Sequence, residues 1–156
     1  MIEYNQKIII VDCESRNLNL SHRIEDNNSN KVWQLGWIEA IGTKTLAEHE
    51  YYVDVLNLNL SDLVKKLTNF DAEKYHKLKR PASEVWDKFK VKLYNEDYLI
   101  GGQNVLGFDC PLMDTLARQA QDRVDYSKFH GRMYDSRAFG LAYKTNLEKL
   151  QRGSML

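Results

Sequence analysis

Three acidic residues lie where the sequence pattern changes from one structural element to the next. Asp12 and Glu14 end the apolar run of residues 8–11, and Asp109 follows a second apolar run at residues 98–100 and the loop after it. Residues two apart on a strand point to the same face, so Asp12 and Glu14 project together. Burying two anions is costly unless a cation compensates them, and oxygen-only ligands favour hard ions. The spacing indicates a divalent-cation site; a solvated strand end, or pairing with Arg or Lys, is the alternative.

The apolar pattern predicts the elements that must position these acids. The unbroken apolar run before Asp12 indicates a strand that is buried on both faces, and Ser61 is a plausible N-cap for a short helix. Strands are predicted over residues 7–14, 32–41, 48–55, 98–100 and 132–134, and helices over residues 82–94 and from about residue 108. An antiparallel start followed by strand–helix alternation predicts an α/β fold with a mixed sheet covered by helices.

Composition limits the classes of protein to which the chain can belong. Its 156 residues suit one domain spanning residues 1–156, and 22 basic and 22 acidic residues give a net charge of zero. Cys13 and Cys110 do not make a disulfide framework, and there is no signal peptide or long apolar run. The sequence therefore predicts a cytoplasmic protein with no membrane partner. It excludes a secreted disulfide scaffold.

Two stretches together resemble the motifs of a known enzyme family. The stretch DCE at residues 12–14 is similar to the first motif of the DnaQ-like 3′-to-5′ exonucleases, the DEDD group of the ribonuclease-H-like superfamily. Asn104 with Phe108-Asp109 is similar to their second motif, N-x-x-x-F-D. The resemblance spans residues 7–143. It implies a ribonuclease-H-like mixed sheet, with the first three strands antiparallel and later strands parallel, flanked by helices.

Further residues are similar to one subgroup of this family. The stretch NLNL at residues 17–20, with Trp33-Gln34, is similar to phage-type members attached to replication systems. This implies single-stranded DNA or RNA 3′ ends as substrate, a polymerase or other replication protein as partner, and the host cytoplasm as location if the chain is phage-encoded. Gln34 stands where many members have Glu, and Gln103 where many carry His.

The resemblance implies hydrolysis of phosphodiester bonds with two divalent ions, Mg²⁺ or Mn²⁺. Asp12 would bridge both ions, Glu14 would hold the ion that activates water, and Asp109 would hold the other.

The same comparison assigns substrate contacts. Leu18 resembles the apolar wedge beside the terminal base, and Ser15 occupies the family's Thr position near the 3′ hydroxyl. Asn104 would orient the strand or its phosphates. Phe108 would either stack on a base or, as its preferred interpretation, fill the core.

The family's third motif, a His or Tyr followed by a fourth Asp, has two interpretations here. In the favoured one, residues 133–136 are the fifth strand, residues 146–150 begin the next helix, and the chain ends before the motif, which makes it a truncated domain. In the other, His130 and Asp135 supply the motif, although Gly131 would then lie inside its helix.

Three hypotheses follow: a metal-dependent exonuclease, a catalytically incomplete module that binds nucleic acid or a replication protein, and a small α/β domain with accidental acids.

Overall fold

The computed structural model describes residues 5–17, 30–138, 140 and 141. The strands are β1 (Lys7–Ser15), β2 (Val32–Ile41), β3 (Lys44–Tyr52), β4 (Tyr98–Gly102) and β5 (Met133–Asp135), and the helices are α1 (Asp62–Leu67), α2 (Ala72–Leu78), α3 (Ala82–Leu93) and α4 (Asp109–Gln119). Two short 3₁₀ turns, Tyr126–Lys128 and His130–Arg132, precede β5. None of the described helices is both long and apolar enough to span a membrane.

The strands form one mixed sheet in the order β3-β2-β1-β4-β5. The first three strands are antiparallel neighbours, β4 runs parallel to β1, and β5 runs parallel to β4. This arrangement confirms the predicted α/β fold. Because β1 is central and its neighbour β4 is parallel to it, the carboxyl ends of these strands lie at one edge of the sheet.

Local sequence signals account for most element boundaries. The side chain of Ser61 accepts a hydrogen bond from the Val64 N–H and caps α1 as predicted. The helix α2 was not predicted. Strand β3 begins earlier than predicted because the turn after β2 is tight; Gly42 has a φ of 56°, a left-handed conformation that favours glycine.

The predicted burial of β1 on both faces is wrong. Ile9 and Cys13 are at most 1% exposed, whereas Ile10 is 45% exposed. The core lies on the odd-numbered face of β1, where Trp37 of β2 packs against Phe89 of α3. The even-numbered face, which carries Asp12 and Glu14, is the open one.

Candidate active site

The carboxyl end of β1 brings the first two acids to the open face of the sheet. Asp12 is exposed and Glu14 is half-buried, while Cys13 between them points into the core. This alternation follows from the pleat of a strand. On the neighbouring strand β2, Gly36 pairs with Asp12 and Gln34 pairs with Glu14.

Asp109, the first residue of α4, lies close to this end of β1. Its Oδ1 accepts a hydrogen bond from the backbone N–H of Cys13, with an N–O distance of 2.7 Å. Asp109 is 2% exposed. Because Cys13 lies between Asp12 and Glu14 in the chain, this bond places the third carboxyl group beside the backbone of the first motif, near the charge of Asp12. The acids of the two sequence motifs therefore lie at the same end of β1, and we call Asp12, Glu14 and Asp109 the carboxylate cluster.

Two acids of the carboxylate cluster, Glu14 and Asp109, have raised pKa values. Burial, with the nearby charge of Asp12, raises the pKa of Glu14 to about 7. Burial and then Asp12 also raise the pKa of Asp109 to about 7, against the lowering effect of the Cys13 N–H. Among the described residues, no ion pair involves any member of the cluster. Raised pKa values of this origin are typical of acids that a cation would stabilise.

The donor chemistry of the cluster fits a hard divalent cation, because every candidate ligand is a carboxylate oxygen. The three groups do not converge on one point, however. Within residues 5–17, 30–138, 140 and 141, no group of three or more His, Cys, Asp or Glu side chains is arranged to hold a metal ion. Asp109 instead faces the backbone of Cys13. Coordination of one ion by all three acids therefore requires side chains to turn.

A cleft of about 620 Å³ opens beside Asp12 and Glu14, across β2 and β3. Glu50 of β3 forms its far side and accepts hydrogen bonds from Gln34 Nε2 (2.8 Å), Tyr52 OH (3.0 Å) and Lys74 Nζ (2.7 Å). Sequence reasoning missed this side of the site. The available signal was a single glycine, Gly36, inside a long predicted strand.

Two residues predicted to contact a nucleic-acid strand, Ser15 and Phe108, are buried and half-buried respectively. Ser15 is 4% exposed, and its hydroxyl donates to the backbone oxygen of Asn17 at 2.7 Å, so it is turned away from solvent. Leu18 lies outside the described residues. Phe108 is half-buried against the core immediately before α4, which agrees with its preferred interpretation as a core residue.

Asp135 is bonded to the loop that precedes Asp109. Its carboxyl group accepts hydrogen bonds from the backbone N–H groups of Asn104 (3.0 Å), Leu106 (3.1 Å), Arg137 (2.9 Å) and Ala138 (3.4 Å). Burial opposes its ionisation, but these bonds outweigh burial and lower the pKa of Asp135. Arg137 also donates to the Asn104 side-chain oxygen at 3.1 Å. Asn104 has a φ of 60°, so its left-handed backbone is stabilised from the end of β5.

The stretch containing His130 and Asp135 is a 3₁₀ turn followed by a strand, not a helix. His130 is exposed, and its Nδ1 lies 2.8 Å from the backbone oxygen of Tyr126. The fifth strand, predicted over residues 133–136, is confirmed as β5 and ends one residue earlier, at Asp135. The predicted helix start at residues 146–150 lies outside the described residues.

Comparison with known proteins identifies the fold. No protein-family model and no curated protein matches the sequence. Product-bound exonuclease I matches with a TM-score of 0.68 and 9% identity, over 83% of this chain and 29% of that chain. The fold is the ribonuclease-H-like fold of exonuclease I. E. coli exonuclease I with a dT13 oligonucleotide gives a TM-score of 0.66 and 10% identity, over 83% and 27% of the two chains. Its zinc-bound complex with single-stranded DNA gives 0.67 and 9%, over 83% and 27%.

The likeness to exonuclease I concerns the fold alone, because so few residues are identical. The chain spans less than a third of the length of these exonuclease I chains.

Proposed function

We propose that this chain carries a 3′-to-5′ exonuclease domain of the DEDD type, acting on 3′ ends of single-stranded DNA or RNA. The observation that carries the proposal is the hydrogen bond from the Cys13 N–H to Asp109, which brings Asp109 to the end of β1 that carries Asp12 and Glu14. The raised pKa values of Glu14 and Asp109 support it, because a divalent cation would stabilise their charged forms. The shared fold adds support, since exonuclease I binds single-stranded DNA in its crystal structures.

Asp12, Glu14 and Asp109 are the residues that would hold two divalent ions, Mg²⁺ or Mn²⁺. When bound, such ions supply an activated water near neutral pH and stabilise the leaving 3′ oxygen. The chain itself positions the residues that would hold the ions. The Cys13 N–H keeps Asp109 at the end of β1, from which its side chain would turn toward an ion, and Asp135 holds the loop that leads to Asp109 in place. Groups that are ordered in advance do not lose this conformational freedom when the substrate binds.

The biological setting follows from the resemblance of residues 17–20 and Trp33-Gln34 to phage-type members. On this basis we place the activity in DNA replication or repair, in the cytoplasm of the cell or of a phage host. A polymerase or another replication protein is then the expected protein partner.

The deciding experiment follows the release of mononucleotides from a single strand labelled at its 3′ end. We expect release that requires Mg²⁺ or Mn²⁺ and falls by about 10³-fold in Asp12→Ala, because metal-ion stabilisation of the transition state is worth several kcal/mol. Glu96→Gln, an exposed acid outside the site, is the matched control and should cleave normally. The proposal is contradicted if the unaltered chain shows no metal-dependent cleavage.

A second candidate function is a module that binds nucleic acid or a replication protein without cleaving it. The observation that favours it is the carboxyl group of Asp135, which is bonded to backbone donors in the loop after β4 and directly after β5 rather than facing the carboxylate cluster. Binding of a single strand in Mg²⁺ or Mn²⁺ without cleavage would support this function. If Mn²⁺ gives no thermal stabilisation and no strand binds, the exonuclease and the nucleic-acid-binding module both fail.

A further inference from the structure

The strand β2, next to the central strand β1, contains a glycine that the fold itself does not require. Gly36 pairs with Asp12 on one side and Glu50 on the other, within regular strand ladders. The irregularities of these ladders lie elsewhere, at Glu14/Ser15 and Glu39/Ala40. The backbone of Gly36 is in the strand conformation, and its φ is not positive. Glycine weakens a strand interior, so its presence at Gly36 needs another reason.

Packing does not supply that reason. A Cβ atom at Gly36 would lie 3.6 Å from the backbone oxygen of His49 and 3.9 Å from that of Asp12, which are ordinary contacts. The glycines of β4 differ: a Cβ at Gly102 would lie 2.9 Å from the backbone oxygen of Val11. A side chain is therefore excluded at Gly102 by the protein, whereas at Gly36 it would only enter the cleft.

Gly36 lies in the cleft between two acidic residues, one on each neighbouring strand. Asp12 and Glu50 lie one strand away in opposite directions, so their backbones are separated by about 9.6 Å, twice the strand spacing. Glu50 is held in place by Lys74, Tyr52 and Gln34. Gly36 thus lies on the floor of the cleft between Asp12 and a Glu50 side chain that is held in place.

We propose that Gly36 is the floor of the subsite for the pentose of the 3′-terminal nucleotide. This inference rests on the proposed exonuclease function, which puts the scissile phosphate at Asp12. The pentose joined to that phosphate lies next to Asp12, and Gly36, the cross-strand partner of Asp12, is the neighbour lining the cleft that has no side chain to occupy this space. A glycine inside a strand is typical of a place where a ligand approaches the backbone closely. Without a side chain, β2 admits the sugar at the depth that the carboxylate cluster requires.

The test compares Gly36→Ala and Gly36→Val with the unaltered chain. Binding of a fluorescent oligothymidylate is measured by anisotropy in EDTA and in Ca²⁺, and cleavage is measured in Mg²⁺. We expect Gly36→Val to lose about 100-fold in cleavage, because a displacement of about 1 Å at a reacting group costs that much, and to bind the strand more weakly. Gly36→Ala should show a smaller loss. Melting temperatures should be equal or higher, since β-branched residues favour strands.

Gly131→Val is the matched control. It makes the same chemical change on an exposed turn, where a Cβ would meet nothing within 4 Å, and it should bind and cleave normally. The inference is overturned if Gly36→Val binds and cleaves like the unaltered chain. It is also overturned if either Gly36 variant melts at a lower temperature, because the glycine would then accommodate protein packing. Failure of the unaltered chain itself to bind and cleave identifies failure of the proposed function, and the inference fails with it.

Discussion

Two buried carboxyl groups of this molecule have opposite surroundings. Glu39 of β2 is 6% exposed and accepts hydrogen bonds from Tyr98 OH (2.7 Å) and Lys92 Nζ (3.0 Å), with His49 Nε2 at 3.0 Å. Burial alone raises the pKa of Glu39, but these partners outweigh burial and lower it. Asp109 is buried to a similar extent, and its pKa rises to about 7.

The difference separates a structural acid from a candidate functional one. Both groups lose water on folding, which disfavours the charged form. The chain provides Glu39 with cationic and hydroxyl donors, whereas Asp109 accepts from the Cys13 backbone N–H and lies near the negative charge of Asp12. An acid left in this state is destabilising unless something external compensates it. That is the physical reason to look for a cation at the carboxylate cluster.

The largest expected effect on stability is at Glu39. Glu39→Ala should lower the free energy of unfolding by about 3 kcal/mol at pH 7, because it leaves Lys92 and Tyr98 without their buried acceptor. Since the folded-state pKa of Glu39 lies below its unfolded value, this stability is present above about pH 4.5 and is lost as the pH falls. Urea unfolding across pH measures it, with the exposed Glu48→Ala as the control. A loss of unfolding free energy no larger than that of Glu48→Ala would contradict the description of Glu39 as a structural acid.

Asp109 should respond in the opposite direction. Asp109→Asn should raise the melting temperature of the protein in EDTA at pH 8 by about 5 °C, because the variant keeps an oxygen for the Cys13 N–H and has no charge to bury. The folded-state pKa lies above the unfolded value, so ionisation of Asp109 destabilises the fold progressively from about pH 4 to pH 7. The gain should therefore vanish near pH 4.

The control for Asp109→Asn is Asp87→Asn, an exposed acid on α3 that should show no such gain. Added Mn²⁺ should stabilise the unaltered chain more than Asp109→Asn, because a ligand that binds only the folded state raises its stability. Equal stabilisation of the two proteins would argue against Asp109 as a ligand.

The smallest effect is expected at the ion pair between Lys74 and Glu50, whose side chains are 45% and 46% exposed. Lys74→Ala should lower the free energy of unfolding far less than Glu39→Ala does, and this effect should disappear in high salt. Chemical denaturation at two salt concentrations measures it. A change in the free energy of unfolding as large as that of Glu39→Ala would show that solvent exposure does not determine how much these acids stabilise the fold.

Several elements could be predicted from the sequence because their signals are local. The apolar periodicity of α3 and the bounds of β2 are of this kind, and both are confirmed. The helix α2 buries only Tyr75 among its residues, so it has little amphipathic pattern to detect. The open face of β1 could not be predicted either, because an unbroken apolar run does not reveal which face the helices cover.

For the site, the sequence determined which acids are present and that Asp12 and Glu14 share a face, because a strand alternates its side chains with a period of two. Only the tertiary structure decided that Asp109, 96 residues from Cys13, bonds to the backbone between them. Likewise, Asp135 is committed to four backbone donors by the parallel pairing of β4 with β5 and the loop that follows β4. Contacts between distant segments depend on strand order and packing, which local periodicity does not encode.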